Sequence, residues 1–224
     1  MTLKEAYDFL NFWINKYTGS WYTMAELDAV VDRGQMALFN DLAPRYATSE
    51  IIQDALAPFV AEYNFNSTNT VSGYIVIPSN SNYMQLLDIT VSYQVSNRTL
   101  YAGVPIVNKD ERAARLNSQI EPVTATSPIA ELTAPRFIRL WPQTGVSGFV
   151  SYLRRPAKPY FAYNLISNRV INYIPEDSTQ LEWGEQWQNL VLIKALASIG
   201  VNLSDAELSQ YSAVTQQQNF GGKI

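Results

Sequence analysis

The chain has neither cysteine nor histidine in its 224 residues. Each absence closes a set of chemistries. Without cysteine there is no disulfide, and without either residue a zinc ion finds none of the nitrogen and sulfur donors it prefers. Ser-His-Asp and Cys-His nucleophile arrangements are likewise impossible. What survives is acid–base work by carboxylates, lysine or tyrosine chemistry, and hard-cation sites made of oxygen. Charge is also sparse, and 16 basic against 20 acidic side chains leave a net charge of −4. That balance disfavours a role whose affinity comes from neutralising phosphates, so DNA is not expected as a direct ligand. No apolar run reaches the roughly 18 residues that suggest a spanning helix, and Met1–Glu5 lacks the basic and then apolar profile of a signal peptide. The expectation is a protein with no membrane partner, made and used in a cytosol-like compartment.

What is present is 47% hydrophobic sequence, long enough to bury about 70% of its unfolded surface. Thr2 with Glu5 and Thr23 with Glu26 have capping-box spacing, and each opens a run of apolar residues at helical intervals, Leu3 to Tyr17 and Met24 to Leu42. A third helix is predicted from Ser49 to Leu56. The period then falls to two, and strands are predicted at 59–65, 73–77 and 84–94, with a short edge strand within 101–107 because Pro105 bars a central place. Asn108 with Glu111 opens a charged, exposed helix to Leu116. Residues 117–133 hold two prolines and little periodicity, and they read as a long extended arm for contacts.

The last third carries the strongest local signals. Pro135 to Trp141 and Phe149 to Arg154, separated by the turn-forming residues Pro142 to Gly148, predict a β-hairpin. Thr179 to Trp183 alternates like another strand, and a helix follows from near Gly184–Glu185 to Gly200. Ser204 with Glu207 predicts a final helix to about residue 218, followed by a flexible tail. The fold class expected is α+β, helical elements from both ends of the chain with an antiparallel, sandwich-like β core. Its segments are 1–58 helical, 59–175 β with the arm at 117–133, and 176–224 strand, helices and tail.

Four carboxylate pairs, Glu5/Asp8, Asp28/Asp32, Glu176/Asp177 and Glu182/Glu185, are the acid–base candidates. For pairs on exposed helix turns or at helix starts, capping or a solvated face is the explanation. No catalytic residue, metal ligand or cofactor is assigned, and the protein is read as a non-enzyme. Arg154, Arg155 and Lys158 among Tyr152, Tyr160 and Phe161 mix basic and aromatic residues as nucleic-acid modules do, but the net acidity favours arginines whose stems cover apolar surface, or an interface. Trp141, Trp183 and Trp187 are read as core packing between hairpin and helix rather than as a sugar platform. The 14 tyrosines, with abundant Asn, Ser, Thr and Gln, describe a surface suited to broad neutral contact with protein.

Arg115-Leu-Asn-Ser-Gln-Ile-Glu-Pro122 leading to Pro128-Ile129, then Tyr152-Leu-Arg-Arg-Pro-Ala-Lys-Pro159, Thr179-Gln-Leu-Glu-Trp183 and Ile199-Gly200-Val201, resemble structural proteins of tailed phages infecting Bacteroidetes, including the neck ring proteins of crAss-like phages. The likeness covers about 108–203, and Met1 to Leu56 resembles, in topology, the helical part of head-to-tail adaptors. The chain departs from the pattern at Trp183-Gly184-Glu185, where the family carries a His-Pro-like turn. The resemblance implies a virion protein of the neck, a head-to-tail connector made in the bacterial host cytoplasm. It would form a homo-oligomeric, dodecameric ring below the portal protein and beside other neck and tail rings, with DNA only passing through its channel. Rival readings are a tail-tube or lower tail ring component, a carbohydrate- or receptor-binding module, and, disfavoured by the lack of His and Cys, an enzyme such as a glycosidase on a carboxylate pair. The contact candidates are Arg115, Asn117, Gln119, Ile120, Pro122 and Pro128 on the arm, Arg154 and Arg155 after the strand, and Phe220, Lys223 and Ile224 in the tail, with arm and tail ordering on assembly.

Overall fold

Both threonine capping boxes are formed. Thr2 and Thr23 accept from the backbone N–H of Glu5 and Glu26, and each glutamate reaches back to the backbone of its threonine. They open α1 (Leu3–Thr18) and α2 (Met24–Leu42). The computed structural model describes residues 1–19, 21–66, 74–95, 98–142, 147–167 and 170–201. The helix expected at 204–218 and the tail, with Phe220, Lys223 and Ile224, lie outside the described residues. The chain is α+β. It divides into two compact units, Met1–Pro58 with the chain from Pro156 onward, and Phe59–Arg155. The β region expected to run to residue 175 therefore gives up 156–175 to the helical unit.

In the helical unit, α1 buries Tyr7, Leu10, Trp13 and Ile14, and α2 buries Leu27, Val31 and Phe39. A 3-10 turn, Ala43–Thr48, leads to α3 (Glu50–Leu56). Ser49 precedes α3 without a side-chain capping bond. The α5 helix (Glu185–Ser198) buries Val191, Leu192, Ala195 and Leu196 and packs against α2. It ends in a Schellman motif. Gly200 takes the left-handed φ of 84°, and the N–H groups of Gly200 and Val201 reach back to the carbonyls of Ala197 and Leu196.

Phe59–Arg155 is a β-sandwich with one helix. Numbered along the chain, its strands are β1 (Val60–Phe65), β2 (Tyr74–Val76), β3 (Tyr83–Val95), β4 (Arg98–Gly103), β5 (Ile129–Ala134), β6 (Phe137–Trp141) and β7 (Ser147–Arg154), with α4 (Lys109–Leu116) after β4. One sheet has the order β1-β7-β3-β4 and the other β2-β6-β5, with every neighbouring pair antiparallel. Alternation sends Phe65, Ile89, Val91, Val150 and Tyr152 from the first sheet, and Ile75, Ile138 and Leu140 from the second, into one shared core.

The hairpin predicted from Pro135 to Arg154 is not formed, because its two strands are the inner strands of different sheets. β6 gives its edges to β2 and β5, and β7 gives its edges to β1 and β3. The strand predicted at Thr179–Trp183 reduces to a single bridge between Tyr160 and Thr179. Its polar side chains serve other backbones: Gln180 accepts from the Leu3 N–H at 2.8 Å and Glu182 from the Ala157 N–H at 2.8 Å. In the segment between, read as irregular, a small antiparallel pair forms, β8 (Tyr163–Ser167) with β9 (Val170–Tyr173).

Candidate assembly surface

The α4 helix has no buried residue, so packing alone does not fix it. Its Asn108 cap accepts from the Glu111 N–H at 2.9 Å, and Arg112 fastens it sideways. The Arg112 guanidinium lies 2.6 Å from Glu131 Oε2 on β5 and its central carbon is 5.5 Å from the centre of the Trp141 ring. Glu131 is only 5% exposed, and a buried carboxylate must be paired to stay charged. Arg139, directly across the ladder from both Glu131 and Tyr74, lies 4.9 Å from the Trp141 ring centre and 5.3 Å from that of Tyr74. One face of the β2-β6-β5 sheet is thus covered by guanidinium–aromatic contacts, each worth about 0.5–2 kcal/mol.

The segment after α4 differs from the extended arm expected. Residues 129–133 belong to β5, and 117–128 close into turns of their own. The Asn117 and Ser118 N–H groups continue to the carbonyls of Ala113 and Arg115. The Glu121 N–H donates to Ser118 Oγ at 3.1 Å, and the Arg115 guanidinium pairs with the Glu121 carboxylate. Thr124 and Ser127 exchange backbone hydrogen bonds at 3.1 and 3.2 Å, and the Thr124 hydroxyl also accepts from the Ser127 N–H. The local side-chain bonds of Ser and Thr hold this loop.

Asn117, Gln119, Ile120 and Pro122 are all exposed, and Ile120 is 93% exposed. Arg115 is spent on Glu121. Pro128 is buried where the chain enters β5, so it packs inside its own unit rather than presenting a contact. Arg154 lies against the Phe59 ring, 5.8 Å to its centre. The Arg155 side chain is exposed, and its backbone N–H donates to the Asn82 carbonyl at 2.7 Å.

The carboxylate pairs separate by burial. Asp28, expected on a solvated face, is 7% exposed; its Oδ1 accepts from the Tyr7 hydroxyl and, at 3.0 Å, from the Phe161 N–H. Burial pushes its carboxyl above the usual range, against the pull of those two bonds and of the Lys158 charge. The same enclosure, with Asp28 beside it, holds the Tyr7 phenol protonated far above its ordinary value. The partners that bury Asp28 lie elsewhere in the chain, and α2 alone gives no sign of them. Asp32 accepts from the Gln35 amide at 2.9 Å, Glu5 caps α1, and Glu185 faces the N-terminal ammonium at 3.3 Å. The sugar-platform reading needs an open tryptophan among its candidates. Trp183 is 2% exposed, and Trp141 and Trp187 are half-buried. An open ring belongs instead to Trp21, 84% exposed, which the sequence reading passed over.

Among the described residues no group of three or more acidic side chains is placed to hold a metal ion, and no helix is long and apolar enough to cross a membrane. Compared with protein-family models and with curated proteins, the sequence finds no match in either.

Proposed function

We infer that this chain is a structural subunit of a tailed-phage virion, a head-to-tail connector that joins copies of itself into a ring under the portal protein. The observation that carries the reading is Ile120. An isoleucine held almost wholly in water, on a loop fixed by its own turns and by the Arg115–Glu121 pair, is placed to be covered by something else. Burying it is worth about 1.5–3 kcal/mol. Because the loop is held by its own bonds, less ordering entropy opposes docking than for an unstructured arm. The surrounding Asn117, Gln119 and Pro122 supply a neutral polar rim, as interfaces between proteins do. The sequence resemblance at 108–203 supplies the phage context, and this segment lies inside it.

The test is the mass of the purified protein by light scattering after size exclusion, alone and mixed with its cognate portal protein. A ring stoichiometric with the portal is the expected result. A chain that stays monomeric and ignores the portal would overturn the connector reading and leave the fold as described.

A further inference from the structure

The sheet β1-β7-β3-β4 ends on both sides in strands whose outer edges pair with no strand among the described residues. Exposed edges of this kind are usually guarded by shortness, lysine, proline, a bulge or a covering segment. The second sheet shows such guards: β2 is three residues long, and the outer side of β5 is covered where Pro105 and Val107 bond with Ala130. Among the described residues, the outer strands of the first sheet show neither shortness nor a lysine, a proline or a bulge. β1 and β4 are each six residues long, contain no lysine or proline, and pair with β7 and β3 without a register shift. On β4, Leu100 and Tyr101 are 41% and 65% exposed.

We propose that these two edges are partners, β4 of one copy pairing antiparallel with β1 of the next, so that one continuous sheet runs around the assembly. Three features of this chain fit the two edges to each other. Four antiparallel strands leave the outer two running in opposite directions, so a head-to-tail repeat continues the alternation without interruption. The lengths match residue for residue, with Arg98 facing Phe65 and Gly103 facing Val60. The faces match too. Ala61, Tyr63 and Phe65 face the core on β1, as Ala102 does on β4, and this register sets Ala102 opposite Ala61 and Leu100 opposite Tyr63. The opposite parity would put apolar side chains against solvent-facing ones, which is how buried faces select register. Such a contact uses two different patches on every copy and gives a ring where the rotation between copies closes. The inference deepens the connector reading and rests on it for the ring, while naming a contact apart from the Ile120 loop.

The absence of cysteine makes the contact directly testable. In this register Glu62 and Tyr101, both exposed, stand opposite each other, as do Asn64 and Thr99. Directly opposed strand residues lie within disulfide reach. Within one copy β1 and β4 are three strand spacings apart, about 14 Å, too far to be bridged. The double variants Glu62→Cys/Tyr101→Cys and Asn64→Cys/Thr99→Cys, first checked for unchanged melting when reduced, are oxidised in the presence of the cognate portal and run on non-reducing gels. The expected result is a ladder extending beyond dimers that collapses on reduction, with no ladder from any single variant. If light scattering shows rings but neither pair cross-links, the edge pairing is wrong and the connector reading stands. If neither rings nor cross-links form, both fail. A disulfide dimer from Tyr101→Cys alone would mean that β4 pairs with its own copy, overturning the head-to-tail arrangement.

Discussion

The phenol of Tyr7 donates to the carboxylate of Asp28, and both side chains are buried. The same oxygen takes the Phe161 N–H, so one acceptor ties α1, α2 and the chain entering β8. Asp28→Ala leaves a buried phenol and a buried N–H without their acceptor, at about 1–3 kcal/mol each. Asp28→Asn keeps an oxygen in place and is expected to cost under about 1 kcal/mol. Urea unfolding of the two variants checks this; equal losses would mean that the hydrogen bonds contribute little.

The same carboxyl makes a pH prediction of unusual sign. Burial raises its pKa in the folded protein, so the folded chain holds this proton more tightly than the unfolded chain. Its contribution to stability therefore increases as pH falls through the folded value towards the unfolded one, near 3.9, and decreases as pH rises. Most carboxylates do the opposite. Stability of the parent minus that of Asp28→Asn should therefore grow as the solution is acidified across that window. A difference that stays flat or shrinks would show that Asp28 is not held as described.

Where an element is specified by residues three or four apart, the sequence was enough to find it. Thr2 with Glu5 and Thr23 with Glu26 are local signals, and both boxes form. Strand pairing is not local. β6 and β7 follow one another and looked like a hairpin, but each meets strands on both sides, and nothing in either run states which. β8 and β9 were missed although Tyr163, Leu165, Ile171 and Tyr173 alternate, because intervening Asn and Ser resembled loop; the Phe161 ring lies tilted against that of Tyr173, 4.6 Å between centres, and anchors them. At the candidate assembly surface the polar, aperiodic character of 117–128 was legible. The burial of Pro128 was not, since it depends on where β5 begins, and Glu131 needed Arg112 from another element to make sense of a buried charge on the sheet face away from the core.

Gly34 shows how a helix-interior glycine can have a tertiary reason. A Cβ there would lie 2.5 Å from the Val191 carbonyl oxygen and 2.7 Å from both the backbone nitrogen and the Cβ of Ala195. Gly34→Ala gains about 1 kcal/mol of helix propensity but must push α5 away, which overpacking data put at about 1–3 kcal/mol. The net expectation is a loss of up to about 2 kcal/mol, read as a lowered melting temperature. A raised melting temperature would show that the two helices separate freely.

Arg112 is expected to hold the loop in place more than it holds the fold. Arg112→Ala removes the partner of a carboxylate that is 5% exposed. For a fully buried pair the cost is about 3–5 kcal/mol; the Arg112 side chain is 28% exposed, so about 1–3 kcal/mol is expected here. Glu131→Gln in the same background removes the stranded charge and should recover part of it. Amide exchange should rise in 109–121 before it rises in β6. Uniform acceleration across Phe59–Arg155 would instead make the pair a general part of the sandwich.

Ile120→Asp separates folding from assembly. At 93% exposure the side chain contributes almost nothing to the chain's own packing, so the change should stay within about 0.5 kcal/mol in unfolding experiments. At a contact, losing about 1.5–3 kcal/mol of apolar burial weakens each one roughly tenfold or more, and covering an aspartate costs further. Mixed with the portal protein, the variant should therefore elute as free subunits at concentrations where the parent forms rings. Ile120→Val, which keeps most of the apolar surface, should still assemble. If Ile120→Asp assembles as the parent does, residues 117–128 are not the contact, which leaves the strand edges, where the cysteine pairs read out independently.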